Sequence, residues 1–381
     1  VGSVDFYRDV SLFSSRGPSA CSGVFYPRLV APGESVLTAG LTNGGTNPQA
    51  YVYATGTSFA APHVAGALAV LKSAEPGATV TQLEAALDRG ALDLGSLGPD
   101  NDSGAGFLDV VEAYSQLDAA VLYLSLAGDG TLAGSGPSSS DLAYADEDIL
   151  SWSGIRYDMV FDGSAAGLSA SADIVAFDID FDNNRILMVF GSNQRVPGVG
   201  KVTGADIVAY DLGSGSFSLL FDGSDVGLGD AVKPATEFLD ALQILPDGRL
   251  IASTRGFASV PSGRVPGKTI GAADEDLLVF APATLGADTS GTWARYFDGS
   301  DVGLATGNGA DVDAVSIAGN GDIYLSTLGD FTATGLSGEN EDVFVCTPTS
   351  LGAATACTLS LFFDGTAHGL GDENVDAISL P

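Results

Sequence analysis

The 381-residue chain reads as two folds in tandem: an incomplete α/β part over residues 1–118, then an all-β repeat domain over residues 119–381 with the strand count of a four-bladed β-propeller. Three observations predict this. Strand-like runs, Gly-rich turns and helical stretches mix only in the first part, whose border is the helix-like run 108–117. Beyond it, short alternating or apolar runs recur between Asp/Gly/Ser turns with almost no helical periodicity. Finally, the string Phe-Asp-Gly-Ser/Thr returns at residues 161, 221, 297 and 363, each time followed by x-x-Gly-Leu.

Each repeat reads as four strands. In the third they are 239–245, 249–253, 277–281 and 293–297. In the fourth they are 312–318, 322–327, 342–346 and 359–363. Turn signals such as Pro246-Asp247-Gly248 and Gly319-Asn320-Gly321-Asp322 separate the first two strands of a repeat. Length variation between repeats is assigned to loops such as 229–237 and 255–272. The first repeat lacks an opening strand, because 121–126 already reads as a second strand. The chain ends on 375–380, a first strand with no followers. That leftover strand fits the gap and would close the ring, which removes exposed sheet edges.

Composition narrows the function classes. Forty-eight acidic residues against 15 basic ones give a net charge of −33. Such a surface repels phosphate backbones and anionic lipid, which argues against nucleic-acid and membrane partners. Only four lysines are present, a pattern shared by halophilic adaptation and by an arginine-over-lysine composition rich in Ala and Gly. No apolar run approaches the roughly 18 residues that span a bilayer. The chain opens on Val1 rather than Met, as a processed product or a fragment would. Three cysteines and two histidines are too few and too scattered for a zinc site. Cys346 and Cys357 flank a turn, spaced either for a disulfide between neighbouring strands or as two buried thiols, and Cys21 is left over.

The segment with most chemical content is Tyr53-Ala-Thr-Gly-Thr-Ser-Phe-Ala-Ala-Pro-His-Val-Ala-Gly66, a tight turn at Gly56-Thr57-Ser58 leading into a helix of small residues. A serine there lies near unpaired N–H groups and the positive end of the helix dipole. Taken bare, Ser58 reads first as an N-cap and second as a nucleophile.

The whole segment resembles the nucleophile motif of the subtilisin-like serine proteases (subtilases). Val1-Gly-Ser-Val-Asp5 with Phe13-Ser-Ser-Arg-Gly-Pro18 is similar to the strand and turn that precede that motif. Tyr26-Pro-Arg-Leu-Val-Ala-Pro-Gly33 resembles the family's Ala-Pro-Gly turn, and Gly104-Ala-Gly-Phe-Leu-Asp109 its closing element. The resemblance covers residues 1–117. It implies a parallel sheet covered by helices, of which this chain holds only the later part. It also implies a serine endopeptidase with protein or peptide substrates, acting outside the cell or at its surface and needing no cofactor, in which Ser58 is acylated and its N–H is one oxyanion donor.

The same resemblance places the histidine base, its aspartate and the oxyanion asparagine before Val1. The chain alone is therefore expected to be inactive. His63 reads as a packed helical residue and His368 as a surface variant within the fourth repeat. With part of the sheet absent, Val64, Leu68 and Leu71 are expected to be exposed, and the first part to be marginal alone or supported by the second.

In the repeats, aspartates recur at 162, 222, 298 and 364 within Phe-Asp-Gly, and at 148, 206, 276 and 342 before third strands. A further set, Asp173, Asp240, Asp313 and Asp376, opens the first strands that line a propeller channel. These four could ring an axial cation, and oxygen-only ligands suit calcium, as a structural ion, better than a transition metal. The competing reading is that aspartates start turns and cap strands. Phe in each Phe-Asp-Gly is assigned to the core between blades. The alternative to an endopeptidase is a non-catalytic extracellular binding module carried by the acidic propeller, with an unnamed ligand.

Overall fold

Alternating apolar residues in the second part form sixteen strands in four antiparallel four-stranded sheets. The computed structural model describes all residues except 20–24, 42–44, 47–50, 76–77, 96–97, 119–120, 134–140, 230–236, 264, 266, 305–308 and 372. Cys21 lies outside the described residues. The chain divides into two units, Val1–Ala119 and Ala120–Pro381.

In the second unit, the inner strands are Val375–Ser379 (blade 1), Ile174–Asp180 (blade 2), Leu239–Ile244 (blade 3) and Ala314–Ile317 (blade 4). Each packs against the inner strand of the next blade, and blade 4 returns to blade 1, giving a four-bladed propeller-like ring. Covered on both faces, Ile174–Asp180 and Val375–Ser379 are buried along their whole length. The outermost strand Ala356–Phe363 largely faces solvent. Blade 1 is completed from both ends of the unit: Val375–Ser379 runs antiparallel to Leu122–Leu126, with Ala377 opposite Ser125 and Ile378 opposite Leu124.

Between the second and third strands of every blade lies a short hairpin, such as Ala258–Pro261 with Thr269–Ala272. The third repeat's 255–272 is thus not a plain loop. Cys346 and Cys357 are bonded across the two outer strands of blade 4, with Cα atoms 5.4 Å apart.

The Phe-Asp-Gly repeat has a physical cause. Phe161, Phe221, Phe297 and Phe363 are at most 5% exposed, each in the apolar core shared with the following blade. The glycine that follows donates its N–H to the aspartate before the third strand. Gly163 reaches Asp148 at 2.9 Å, and Gly223, Gly299 and Gly365 reach Asp206, Asp276 and Asp342 at 3.1 Å. The second oxygen of each aspartate accepts from the N–H three residues earlier, at 2.8–3.0 Å. A side chain on these glycines would run into the backbone carbonyl of Glu147, Ala205, Glu275 or Glu341. This aspartate set is structural, and so are Asp162, Asp222 and Asp364, which accept from N–H groups of their own turns.

Polar links tie the inner strands together. Asp178 of blade 2 accepts from Ser379 Oγ of blade 1 at 2.8 Å and from the Ile244 N–H of blade 3 at 2.8 Å. Gln243 exchanges two hydrogen bonds with the Ile317 backbone of blade 4. Ser316 Oγ of blade 4 accepts from Leu380 N–H, which completes the circle.

The first unit holds a parallel strand pair, Gly2–Val4 with Val30–Pro32. Helix α1 (Thr57–Ala74) packs on both strands through Ala60, Ala67 and Leu71. Helix α2 (Val80–Arg89) starts at a capping box of Thr79 and Gln82 and packs on α3 (Val110–Asp118). The expectation for α1 is corrected. Leu71 is 1% exposed because it lies on the same stripe as Ala60 and Ala67, and Val64 and Leu68 are half-buried.

Two measurements test the ring. Removing residues 375–381 leaves Leu122–Leu126 as an open edge, so the truncated chain should lose the cooperative unfolding transition of the second unit. An unchanged thermal transition would show that closure contributes little. The second concerns Asp178, whose carboxyl is pushed up to about 6, chiefly by burial and against its hydrogen bonds from Ile244 and Ser379, with Asp180 as the nearby like charge. Its proton is held more tightly in the folded state, so its contribution is complete below about pH 4 and is lost as pH rises through about 6. Between about pH 4 and pH 7, wild type should lose on the order of 3 kcal/mol relative to Asp178→Asn in urea unfolding. Parallel pH profiles for the two proteins would refute this.

Candidate functional site

Helix α1 follows the hairpin of Val36–Ala39 with Tyr51–Ala54 and begins beside the ends of the parallel pair. Gly56 is its N-cap at φ 154° and ψ 155°, a conformation that suits glycine. The Gly56 N–H donates to Gly33 O at 2.8 Å, and the Gly33 N–H to Val4 O at 3.0 Å. The start of the helix is thereby fixed to the carboxyl ends of both strands, where open α/β sheets place their sites. Ser58 is the second helical residue and is exposed, and the helix has no side-chain cap. The N-cap reading of Ser58 is corrected, because Gly56 holds that position. With no acidic residue in the first turn, the unpaired N–H groups there are not countered by a local carboxylate. Pro62, four residues on, has no N–H to offer the Ser58 carbonyl.

His63 Nδ1 donates to Phe59 O at 2.9 Å, which turns the ring back along its own helix, and the residue is exposed rather than packed. His368 belongs to the second unit. It is half-buried, with ring centroids 4.9 Å from both Trp152 and Phe363, and burial holds its pKa below the usual value. It is an aromatic filler of blade 1, not a surface variant.

The second candidate lies at one end of the propeller channel. Asp173, Asp240, Asp313 and Asp376 come together there around a cavity of about 320 Å³, joined by Asp311, Asn374 and Arg255. Asn374 Nδ2 donates to Asp376 Oδ1 at 2.6 Å and to Asp313 Oδ2 at 3.4 Å. Among the described residues, one oxygen each of Asp173, Asp240, Asp311, Asp313 and Asn374 is buried with no hydrogen-bond partner. Burial, then repulsion from neighbouring carboxylates, pushes Asp173 up to about 6, Asp311 to about 7 and Asp376 to about 8. Asp240 and Asp313 are raised well above the ordinary range for the same reasons. Arg255, whose Nη1 donates to Gly191 O at 3.0 Å, offsets part of the repulsion.

Sequence reasoning missed Asp311, Asn374 and Arg255. A signal existed for two of them, since Asp311-Val-Asp313 and Asn374-Val-Asp376 place a second oxygen donor two residues before the ring aspartate. It also missed Asp129, Asp146 and Glu147, whose carboxylate oxygens lie within 4.8 Å of one another.

Known proteins resemble the first unit. The family model described as the Subtilase family, peptidase S8, matches residues 1–106. The minor extracellular protease Vpr of Bacillus subtilis is 38% identical over 108 residues, which are 27% of this chain and 13% of Vpr. Subtilisin-like protease SBT3.4 of Arabidopsis thaliana is 44% identical over 68 residues, 18% of this chain and 9% of that protein. A crystal structure of MycP1 with its N-terminal propeptide removed aligns over 30% of this chain and 34% of that one, at 31% identity and a TM-score of 0.24. The chain thus spans about an eighth or less of the length of these two relatives. Residues 1–106 are a segment of the subtilase family, peptidase S8.

Proposed function

We propose that this chain carries the nucleophile of a subtilisin-like serine endopeptidase. The observation that supports it is the setting of Ser58: exposed, not used as a cap, and on the first turn of an 18-residue helix fixed to the ends of two parallel strands. In this reading Ser58 Oγ attacks the carbonyl carbon of a peptide bond while a general base takes its proton. The negative charge on the carbonyl oxygen is met by the Ser58 N–H at the positive end of α1. The carbon–nitrogen bond then breaks, the amine leaves with the proton, and water hydrolyses the acyl ester on Ser58.

The base, its aspartate and the second oxyanion donor come from segments outside this chain, since His63 and His368 are both engaged elsewhere. The 381-residue chain alone is therefore inactive. The substrate is a protein or peptide, and catalysis needs no metal. The Cys346–Cys357 bond suits an oxidising compartment, which supports an extracellular location. Among the described residues no helix is long and apolar enough to cross a membrane.

Fluorophosphonate labelling tests this. Protein isolated from the source organism should carry the label on the Ser58 peptide, while the 381-residue chain stays unlabelled. Ser58→Ala in the full-length protein should lower peptide hydrolysis by about 10⁴-fold or more. Hydrolysis that survives the substitution would sink the assignment.

A further inference from the structure

The propeller has a feature that peptide hydrolysis does not use: the acidic cavity at one end of its channel. Its wall is built symmetrically, because an aspartate stands at the start of each inner strand: Asp240 and Asp376 are second residues of theirs, and Asp173 and Asp313 immediately precede theirs. The other repeated aspartates behave differently. Asp148, Asp206, Asp276 and Asp342 each accept from two backbone N–H groups. At the cavity the donors are fewer: Asn374 Nδ2 reaches Asp376 and Asp313. Asp240 and Asp313 are 3% and 5% exposed, and each keeps one buried oxygen with no partner among the described residues. Five carboxylates face one guanidinium, that of Arg255.

Leaving a buried carboxylate oxygen unpaired is costly, and a symmetric ring of such oxygens around a cavity is relieved either by bound protons or by a positive occupant. We propose that this end of the channel binds a divalent, oxygen-seeking cation of the calcium type. The donors are carboxylates and the Asn374 carbonyl, with no histidine or cysteine on the wall among the described residues, so the site suits a hard cation and not zinc or copper. The ring is wide. Among the described residues only Asp129, Asp146 and Glu147 bring three such oxygens within 4.8 Å of one another. A water claims about 30 Å³, so a cavity of about 320 Å³ holds the ion together with part of its water shell. Calcium, with its larger and less regular shell, fits that arrangement better than magnesium.

The test uses the 381-residue chain stripped with EDTA and titrated calorimetrically with calcium chloride or magnesium chloride. The expected result is saturable binding of one calcium ion, at least about tenfold tighter than magnesium, with a parallel rise in the melting temperature of the second unit. Asp313→Asn, of the same shape, should weaken calcium binding at least tenfold. Without metal it should melt no lower than wild type, because it keeps the shape of a carboxyl whose charged form burial and its neighbours already disfavour. Asp129→Asn, at the neighbouring acidic group, should bind as wild type does. Absence of heat and of a melting shift with either metal up to about 10 mM would overturn the proposal. So would equal binding by Asp313→Asn and wild type, or a loss confined to Asp129→Asn.

Discussion

Ring closure is the constraint on which the second unit depends. Four sheets of four strands leave no free inner edge only if the last inner strand finds its partner at the start of the unit, and Val375–Ser379 does so on Leu122–Leu126. The polar links near the axis follow from that closure. Asp178 can accept from Ser379 only once the closing strand is seated, and its bond to Ile244 then joins three blades at one carboxylate. The apolar cores show the same dependence, since the Phe363 pocket is filled by Leu124, Trp152 and Tyr157 from the opposite end of the unit. Closure, polar links and core filling are one cooperative event.

Aspartate serves in this unit under two opposite electrostatic conditions. Before each third strand it is neutralised locally by two N–H groups, one of them from a glycine that must lack a side chain to come close enough. At the channel end fewer donors reach the carboxylates, and burial with mutual repulsion favours their protonated forms. Recurrence alone therefore says little about what a repeated residue does. The supply of donors around it decides whether it holds the fold or remains available to something else.

The repeat architecture was legible because its signals are local: Phe-Asp-Gly, the turn before the second strand, and apolar runs of strand length. The four short hairpins were not, since strands such as Gly130–Leu132 are too brief to carry a period. Position set Asp173, before a channel-lining first strand, apart from Asp148, but the donors around each could not be read, because the N–H that satisfies Asp148 comes from Gly163, fifteen residues away. For Ser58 the motif outweighed local chemistry. Serine at a helix start reads as a cap, yet Gly56 takes that position and leaves Ser58 one residue inside the helix. Helix α1 also buries Leu71 on its own parallel pair, which counting absent strands could not foresee.

The seam in blade 1 also bears on biosynthesis. Residues about 250 positions apart must meet there, so the last seven residues of the chain carry information that the first blade needs. A ribosome delivers the chain in the opposite order. Throughout synthesis of the second unit, Leu122–Leu126 therefore has an unpaired edge, exposed to pairing with other nascent chains until Val375–Ser379 has emerged. The fold can be assembled blade by blade, but it closes only once its last inner strand, Val375–Ser379, has been made.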